Sequence, residues 1–201
     1  MGRLQTFDNS VVVQAARDLF WDKGYEAASL ADLEAATGLG RSSLYHAFGS
    51  KRGLFDAAVD DYLHTVIRPR LAVLRAGTAG ASALLDYFDT LARSTASQAP
   101  DSVQTGCLLV NCAAGLAAHD DPTRTVVEGY RAELSDALRH ALASATPATD
   151  ATDAAESQLD ERVRTLASLS MSAMLVARVN RDEAVALLNT ASNQVRAWFP
   201  G

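Results

Sequence analysis

Apolar positions recur at three- and four-residue intervals along nearly the whole chain, and no stretch alternates with period two for long enough to make a strand. From Asp8 to Lys23 the positions Val12, Ala15, Ala16, Leu19 and Phe20 fall on one helical face, and Gly24 stands where a C-cap is expected. Ser29 with an acid three residues on, Asp32, is a variant of the capping box and predicts a new helix start. Thr37 and Gly38 end this short helix, Gly38 suiting a left-handed turn residue. A third helix runs from about Arg41 to Phe48, Gly49 and Ser50 break it, and Ser50 caps a longer helix that starts at Lys51. That helix continues through Phe55, Val59, Tyr62 and Leu63, and Pro69 predicts a kink or a break.

Gly77 and Gly80 mark the next connection, followed by an amphipathic helix from Ala83 to Ser97. Pro100 to Thr105 reads as a loop, and Cys107 to Ala118 as a short, unusually apolar helix. The pair Asp121 and Pro122 predicts a start with Asp121 as N-cap and Pro122 in the first turn, opening a helix that carries Tyr130, Leu134, Leu138 and Leu142. Residues 144–157 are mostly Ala, Thr, Asp and Pro and read as a loop. Leu159 to Val179 predicts a long helix, apolar nearly all round in its second half and therefore buried on more than one side. A last helix spans about Asp182 to Phe199. The expectation is an all-α chain of about nine helices.

Composition narrows the function classes. A chain of 201 residues, 48% hydrophobic and 21% charged, is long enough for a sizeable core. No apolar run reaches the roughly 18–20 residues of a membrane span, and the N-terminus lacks the apolar stretch of a secretory signal. Gly2 and Thr6 match a loose myristoylation pattern, read as coincidence because no second membrane signal accompanies it. Two cysteines make no disulfide framework, and no Cys/His cluster has zinc spacing, so neither metal nor cofactor is expected and a cytoplasmic location fits best. The net charge of −6 argues weakly against nucleic acid, but its distribution does not. Residues 1–55 carry six basic and six acidic side chains, and between Glu34 and Asp56 there is no acid, only Arg41, His46, Lys51 and Arg52. A neutral segment with a basic stretch can meet phosphates while an acidic remainder stays clear of them.

The chemistry lies between Ser29 and Phe55. A short helix, a glycine-containing turn and a second short helix form a helix-turn-helix. Its second helix presents Arg41, Ser42 and Ser43 at the N-terminal end, where short polar and basic groups reach base edges in the major groove. Tyr45, His46 and Lys51 fall where they can touch phosphates, and the start of the following helix favours an anion.

The ordered residues Gly24-Tyr25, Ser29-Leu30-Ala31-Asp32-Leu33, Thr37-Gly38-Leu39 and Ser43-Leu44-Tyr45-His46-Ala47-Phe48-Gly49-Ser50-Lys51 resemble the TetR family of bacterial transcriptional regulators. The resemblance is strong over residues 8–55 and one of architecture beyond. It implies a DNA-binding domain over residues 1–50 and an effector-binding and dimerisation domain over residues 51–201. It implies a homodimer on a near-palindromic operator, with recognition helices in major grooves about 34–36 Å apart, and release by a small molecule bound in the body. By position, Arg41 and Ser42 match base-reading sites, and Ser43, Tyr45, His46 and Lys51 match phosphate contacts. The last two helices are expected to form the dimer contact through Val163, Leu166, Leu188, Val195 and Trp198. Two positions depart from the family pattern. Glu34 replaces a small residue, predicting a side chain in solvent or a looser helix contact, and Gly40 replaces the common Ser or Thr cap.

Gly106-Cys107-Leu108 resembles a TetR subset that includes the N-ethylmaleimide-responsive repressor, in which the matching cysteine senses electrophiles. A thiol in the first turn of a helix is stabilised as thiolate by the dipole, whereas the plainer reading makes Cys107, like Cys112, a small buried hydrophobe. For a conventional ligand, Phe88, Leu91, Val110, Asn111, Met171 and Met174 lie on the three helices that the family packs around its pocket. A thiol enzyme using Cys107 and His119 is the remote alternative, lacking a nucleophile elbow, phosphate loop or paired carboxylates.

Overall fold

The structure, a computed structural model, describes residues 8–76, 80–99, 101–146 and 152–200. The Gly2/Thr6 pattern, Gly77, Pro100 and residues 147–151 of the Ala/Thr-rich segment lie outside them. Among the described residues there is no strand, and ten α-helical segments join into nine rods. They are α1 (Asn9–Lys23), α2 (Leu30–Thr37), α3 (Arg41–Phe48), α4 (Lys51–Tyr62), α5 (Arg68–Arg75), α6 (Gly80–Ser97), α7 (Leu108–Ala114), α8 (Asp121–Ala145), α9 (Asp153–Val176) and α10 (Arg181–Trp198).

α4 and α5 are one rod, and Pro69 does not break it. A proline has no N–H to donate and its ring collides with the carbonyl four residues back in a regular helix. Here the turn before it widens. Leu63–Ile67 form a single π-helical turn, and the Arg68 N–H donates to the Leu63 carbonyl five residues earlier. Pro69 then sits in the first turn of α5, where no N–H is required of it. Two other boundaries also differ from expectation. The N-cap of α8 is Asp120, one residue before the expected Asp121, and its carboxylate accepts from the Thr123 N–H at 2.8 Å. α9 starts at Asp153, capped by Thr152, six residues earlier than the apolar pattern indicates, because its first turns are polar and exposed.

α1, α2 and α3 form the N-terminal unit, and α4 packs against α1 and α3 while touching α7 of the body. Phe20, Tyr25 and Phe55 centre this unit, with Phe20 edge-on to Phe55 at 5.2 Å and Tyr25 tilted on Phe55 at 4.9 Å. The body is built on α6, which packs against α10, α8 and α5, with α9 covering α8 and α10. Val163, Leu166, Leu188 and Val195, expected at a dimer contact, are instead buried within the single chain. The sequence pattern marks any buried helical face alike, and theirs is used up inside the protomer. No helix of the described residues is long and apolar enough to cross a membrane.

Candidate DNA interface and effector cavity

The helix-turn-helix is held by local polar bonds. At the start of α2, Ser29 Oγ accepts from the Asp32 N–H at 3.1 Å and Asp32 Oδ2 accepts from the Ser29 N–H at 2.9 Å, the reciprocal capping box. Lys23 Nζ pairs with the same carboxylate at 2.7 Å. Lys23 and then Ser29 hold the Asp32 carboxyl well below the usual carboxylate range. Gly38 ends α2 in the left-handed region, as the sequence predicts.

The two departures from the family pattern turn out to be one feature. Gly40 is the N-cap of α3 and offers no side-chain acceptor. A carboxylate oxygen of Glu34, on α2, accepts from the Arg41 N–H instead. Glu34 therefore neither points to free solvent nor loosens the turn. It satisfies an amide at the start of the recognition helix, where a negative charge also suits the dipole.

α3 buries Leu44 and leaves Arg41, Ser42, Ser43 and His46 exposed, with Tyr45 partly so. The Arg41 guanidinium lies 5.4 Å from the Tyr45 ring centre, and Lys51 Nζ lies 4.6 Å from that of Tyr25. Partial burial against the ring lowers the Lys51 pKa, with Glu26 opposing the shift. Ser50 caps α4 through the Gly53 N–H at 3.0 Å. A Cβ on Gly53 would stand 2.1 Å from the Phe48 carbonyl oxygen, so this glycine is what lets α3 end so close to α4. Arg52 faces the body, bonded to Asp56 at 2.7 Å and to Asp120 at 2.5 Å. Among the described residues no cluster of three or more His, Cys, Asp or Glu could hold a metal, His46 included.

In the body, Cys107 is 1% exposed and immediately precedes α7 in extended backbone, rather than sitting in its first turn. It lines a small cavity of about 10 Å³ with Tyr62, Tyr87, Tyr130, Ser170 and Met174. Of the residues expected to line a pocket, Cys107, Leu91 and Met174 do so, whereas Phe88, Val110, Asn111 and Met171 are absent from its wall. Phe88 is fully buried, edge-on to Tyr87 at 5.0 Å. The three tyrosines, on α4, α6 and α8, come together only in the tertiary structure. Burial pushes their hydroxyl pKa values up, the Cys107 thiol adding to the effect at Tyr62 and Tyr130. Cys112 is also buried, and burial pushes its thiol up to about 12. Outside the cavity a groove of about 400 Å³ runs past Arg70, Val73, Asp86, Tyr87, Thr90 and Leu91.

Cavity and DNA-binding unit meet at Trp21. Its ring stands edge-on to Tyr62 at 4.8 Å, and its indole N–H donates to the Thr105 carbonyl at 3.1 Å, two residues before Cys107. Arg178, just after α9, donates to the carbonyls of Trp21 and Asp22 at the end of α1.

An exposed recognition helix, rigidly capped and joined to a helical body with an internal cavity, defines a helix-turn-helix regulator. The family profile of bacterial regulatory proteins, tetR family, matches residues 12–58. The HTH-type transcriptional regulator YezE of Bacillus subtilis is 30% identical over 182 residues, 90% of this chain and 92% of that protein. The HTH-type transcriptional repressor ComR of Escherichia coli is 39% identical over 111 residues, 55% of this chain but only 51% of that protein's length. Among solved structures, a triple cysteine mutant of the TetR family transcriptional regulator CifR, complexed with 26-base-pair operator DNA, superposes with a TM-score of 0.75 at 30% identity, covering 96% of this chain and 98% of that one. The chain belongs to the TetR family of bacterial transcriptional regulators.

Proposed function

We infer that this protein is a repressor that binds a near-palindromic operator as a homodimer and is released when a small molecule occupies the body. The observation that carries this reading is the outer face of α3, where Arg41, Ser42, Ser43 and His46 are exposed around the single buried Leu44. Arg41 and Ser42 read base edges; Ser43, Tyr45, His46 and Lys51 hold phosphates. The operator complex of CifR supports the DNA partner. Apolar side chains left exposed in the last turn of α9 and just after it, Leu175 at 46% and Val179 at 89%, support a dimer contact at the α9–α10 end of the body. The site of action is the cytoplasm, where the operator is.

A reversible ligand is favoured over thiol sensing. Cys107 is out of reach of solutes in this form, and Cys112 is protonated at neutral pH. An enzymatic role has no support: His119 is exposed while Cys107 is buried, and among the described residues no hydrogen bond joins Cys107 to a histidine.

The test is selection of bound duplexes from a random-sequence library, followed by anisotropy titrations of the enriched duplex. Arg41→Ala is expected to cost about 1–3 kcal/mol at one base position, a guanine, which arginine meets through O6 and N7. Lys51→Ala is expected to weaken all sequences alike and to flatten the salt dependence. If no duplex is enriched, the reading is wrong. Equal weakening by Arg41→Ala on every sequence removes its base-reading role.

A further inference from the structure

The groove beside α5 and α6 and the cavity behind it share Arg70, Tyr87 and Leu91, so they adjoin, outer and inner, across those residues. The inner end carries no formal negative charge. Its polar groups are the hydroxyls of Tyr62, Tyr87, Tyr130 and Ser170, the Cys107 thiol and, at the edge, the Arg70 guanidinium. Each of these can donate a hydrogen bond, only the Arg70 guanidinium cannot also accept one, and none is a carboxylate. Tyr87 and Ser170 satisfy one another at 3.4 Å. The Tyr62 hydroxyl, fully buried, lies close to the Cys107 thiol and the Leu108 backbone but forms no hydrogen bond of ordinary geometry. A buried donor without a partner costs about 1–3 kcal/mol, so its retention needs a reason. Arg70 is exposed and forms no hydrogen bond or ion pair among the described residues, although Asp86 lines the same groove.

We propose that this space is a site for a small monocarboxylate with an apolar body, its head group at the throat between Arg70 and the Tyr62 hydroxyl and its tail in the groove along Val73, Leu91 and the Tyr87 ring. The inference rests on reading the body as the effector-binding part and names the effector's class. Size and charge both constrain it. The inner cavity, at about 10 Å³, holds at most a single water. The groove, at about 400 Å³, falls within the range of small-molecule sites. A ligand body therefore lies in the groove, and only its head reaches inward, displacing Tyr62 or Tyr87 as it does so. A carboxylate fits that head position because it accepts several charge-assisted hydrogen bonds at once. Asp86 on the groove wall disfavours a second negative charge, which weakens dicarboxylates relative to monocarboxylates. Displacing Tyr62 disturbs the ring that stands edge-on to Trp21 of α1, so occupancy is felt by the DNA-binding unit.

The test uses the full chain and a panel of straight-chain and phenyl-substituted monocarboxylates, butanoate to decanoate, each paired with its primary amide and its dicarboxylate. Thermal stability and release of the enriched duplex are both followed. Monocarboxylates are expected to raise the Tm and release DNA, while the amides and dicarboxylates do so at concentrations about tenfold higher or more. Arg70→Gln and Tyr62→Phe are expected to lose this preference. Tyr62→Phe without ligand is expected to melt no lower than the parent, because it removes an orphaned hydroxyl rather than a bonded one. Equal action of acids and amides, no response to any monocarboxylate, or an unchanged preference in both variants overturns the proposal. Intact duplex binding with silent carboxylates sinks this inference alone, whereas failure to enrich any duplex sinks the regulatory reading on which it rests.

Discussion

Replacing Glu34 tests whether an acid can strengthen a DNA-binding surface. Near phosphates a carboxylate is ordinarily a liability, and its removal should tighten binding at low salt. The structure gives the opposite sign. The Glu34 carboxylate accepts from the Arg41 N–H at the first residue of an eight-residue helix whose own cap position, Gly40, supplies no side chain. Loss of a side-chain cap costs about 0.5–2 kcal/mol, typically about 1. A helix of two turns is marginal without such support, so the cost falls on the order of its first turn, where Arg41, Ser42 and Ser43 lie. Re-forming that turn on DNA charges about 1 kcal/mol to each protomer. For a dimer the sum is about 2 kcal/mol, or roughly thirtyfold in affinity. Glu34→Gln, which keeps an acceptor but not the charge, should fall between. Two assays check this. Amide hydrogen exchange should show faster exchange at Arg41 and at Leu44, whose N–H closes the first turn on the Gly40 carbonyl, in Glu34→Ala, without change at the buried Leu33 of α2. Anisotropy titrations across a salt series should show weaker binding with a parallel salt dependence. Tighter binding by Glu34→Ala, or an Arg41 amide that exchanges no faster, would refute the capping role.

Two further outcomes follow from the body. Gly106 has φ +75°, and a Cβ there would stand 2.4 Å from the Met174 carbonyl oxygen. Gly106→Ala is therefore expected to destabilise the fold by about 1–3 kcal/mol, read as a lower urea midpoint, and an unchanged midpoint would mean the loop before α7 shifts freely. Burial raises the Cys112 thiol from 9.0 to about 12. Because the unfolded chain loses this proton first, its contribution is intact below pH 9 and is lost as pH rises toward 12. Cys112→Ala should flatten the fall in Tm over that window, after allowing for the buried tyrosines; an identical slope would show that the thiol does not titrate with unfolding.

The N-terminal unit was legible because its signals are local. Ser29 with Asp32, Gly38, and Ser50 before Gly53 each satisfy a backbone group within three or four residues, and a reader of the chain can see both partners at once. Glu34 and Gly40 were also visible, but as two separate oddities. Their relation depends on how the turn folds α3 back beside α2. The effector cavity was less legible for the same reason. Apolar periodicity marked Leu91 and Met174 as inward-facing, yet it marked Phe88 and Val110 equally, and burial alone does not distinguish a wall from a filled core. Tyr62, Tyr87 and Tyr130 lie up to 68 residues apart in sequence on three helices, and nothing in their spacing announces that they line one cavity. Four of the five expected dimer residues met the same ambiguity, since Val163, Leu166, Leu188 and Val195 obey a helical pattern that their own protomer consumes, whereas Trp198 stays partly exposed.

Magnitudes also constrain how occupancy of the body reaches α3. Shifting a two-state equilibrium from one in a hundred to ninety-nine in a hundred takes about 5.5 kcal/mol of differential binding. The Trp21–Tyr62 ring contact is worth only about 0.5–1.5 kcal/mol beyond its buried area, so two copies of it fall short. Other contacts must change with it. α4 offers them, because one helix carries Tyr62 at the cavity, Asp61 bonded to Arg17 of α1 at 2.7 Å, and Arg52 bonded to Asp120, the N-cap of α8, at 2.5 Å. A displacement of Tyr62 that carries α4 with it loads all three contacts together, whereas a rotamer change of Tyr62 alone loads one. The π-helical turn at Leu63–Ile67 lies directly after this segment and separates it from α5, which is anchored to α8 through Arg68 and Glu133 at 3.1 Å. The energetics of the proposed regulation therefore favour α4 moving as a body about that turn over a chain of side-chain adjustments.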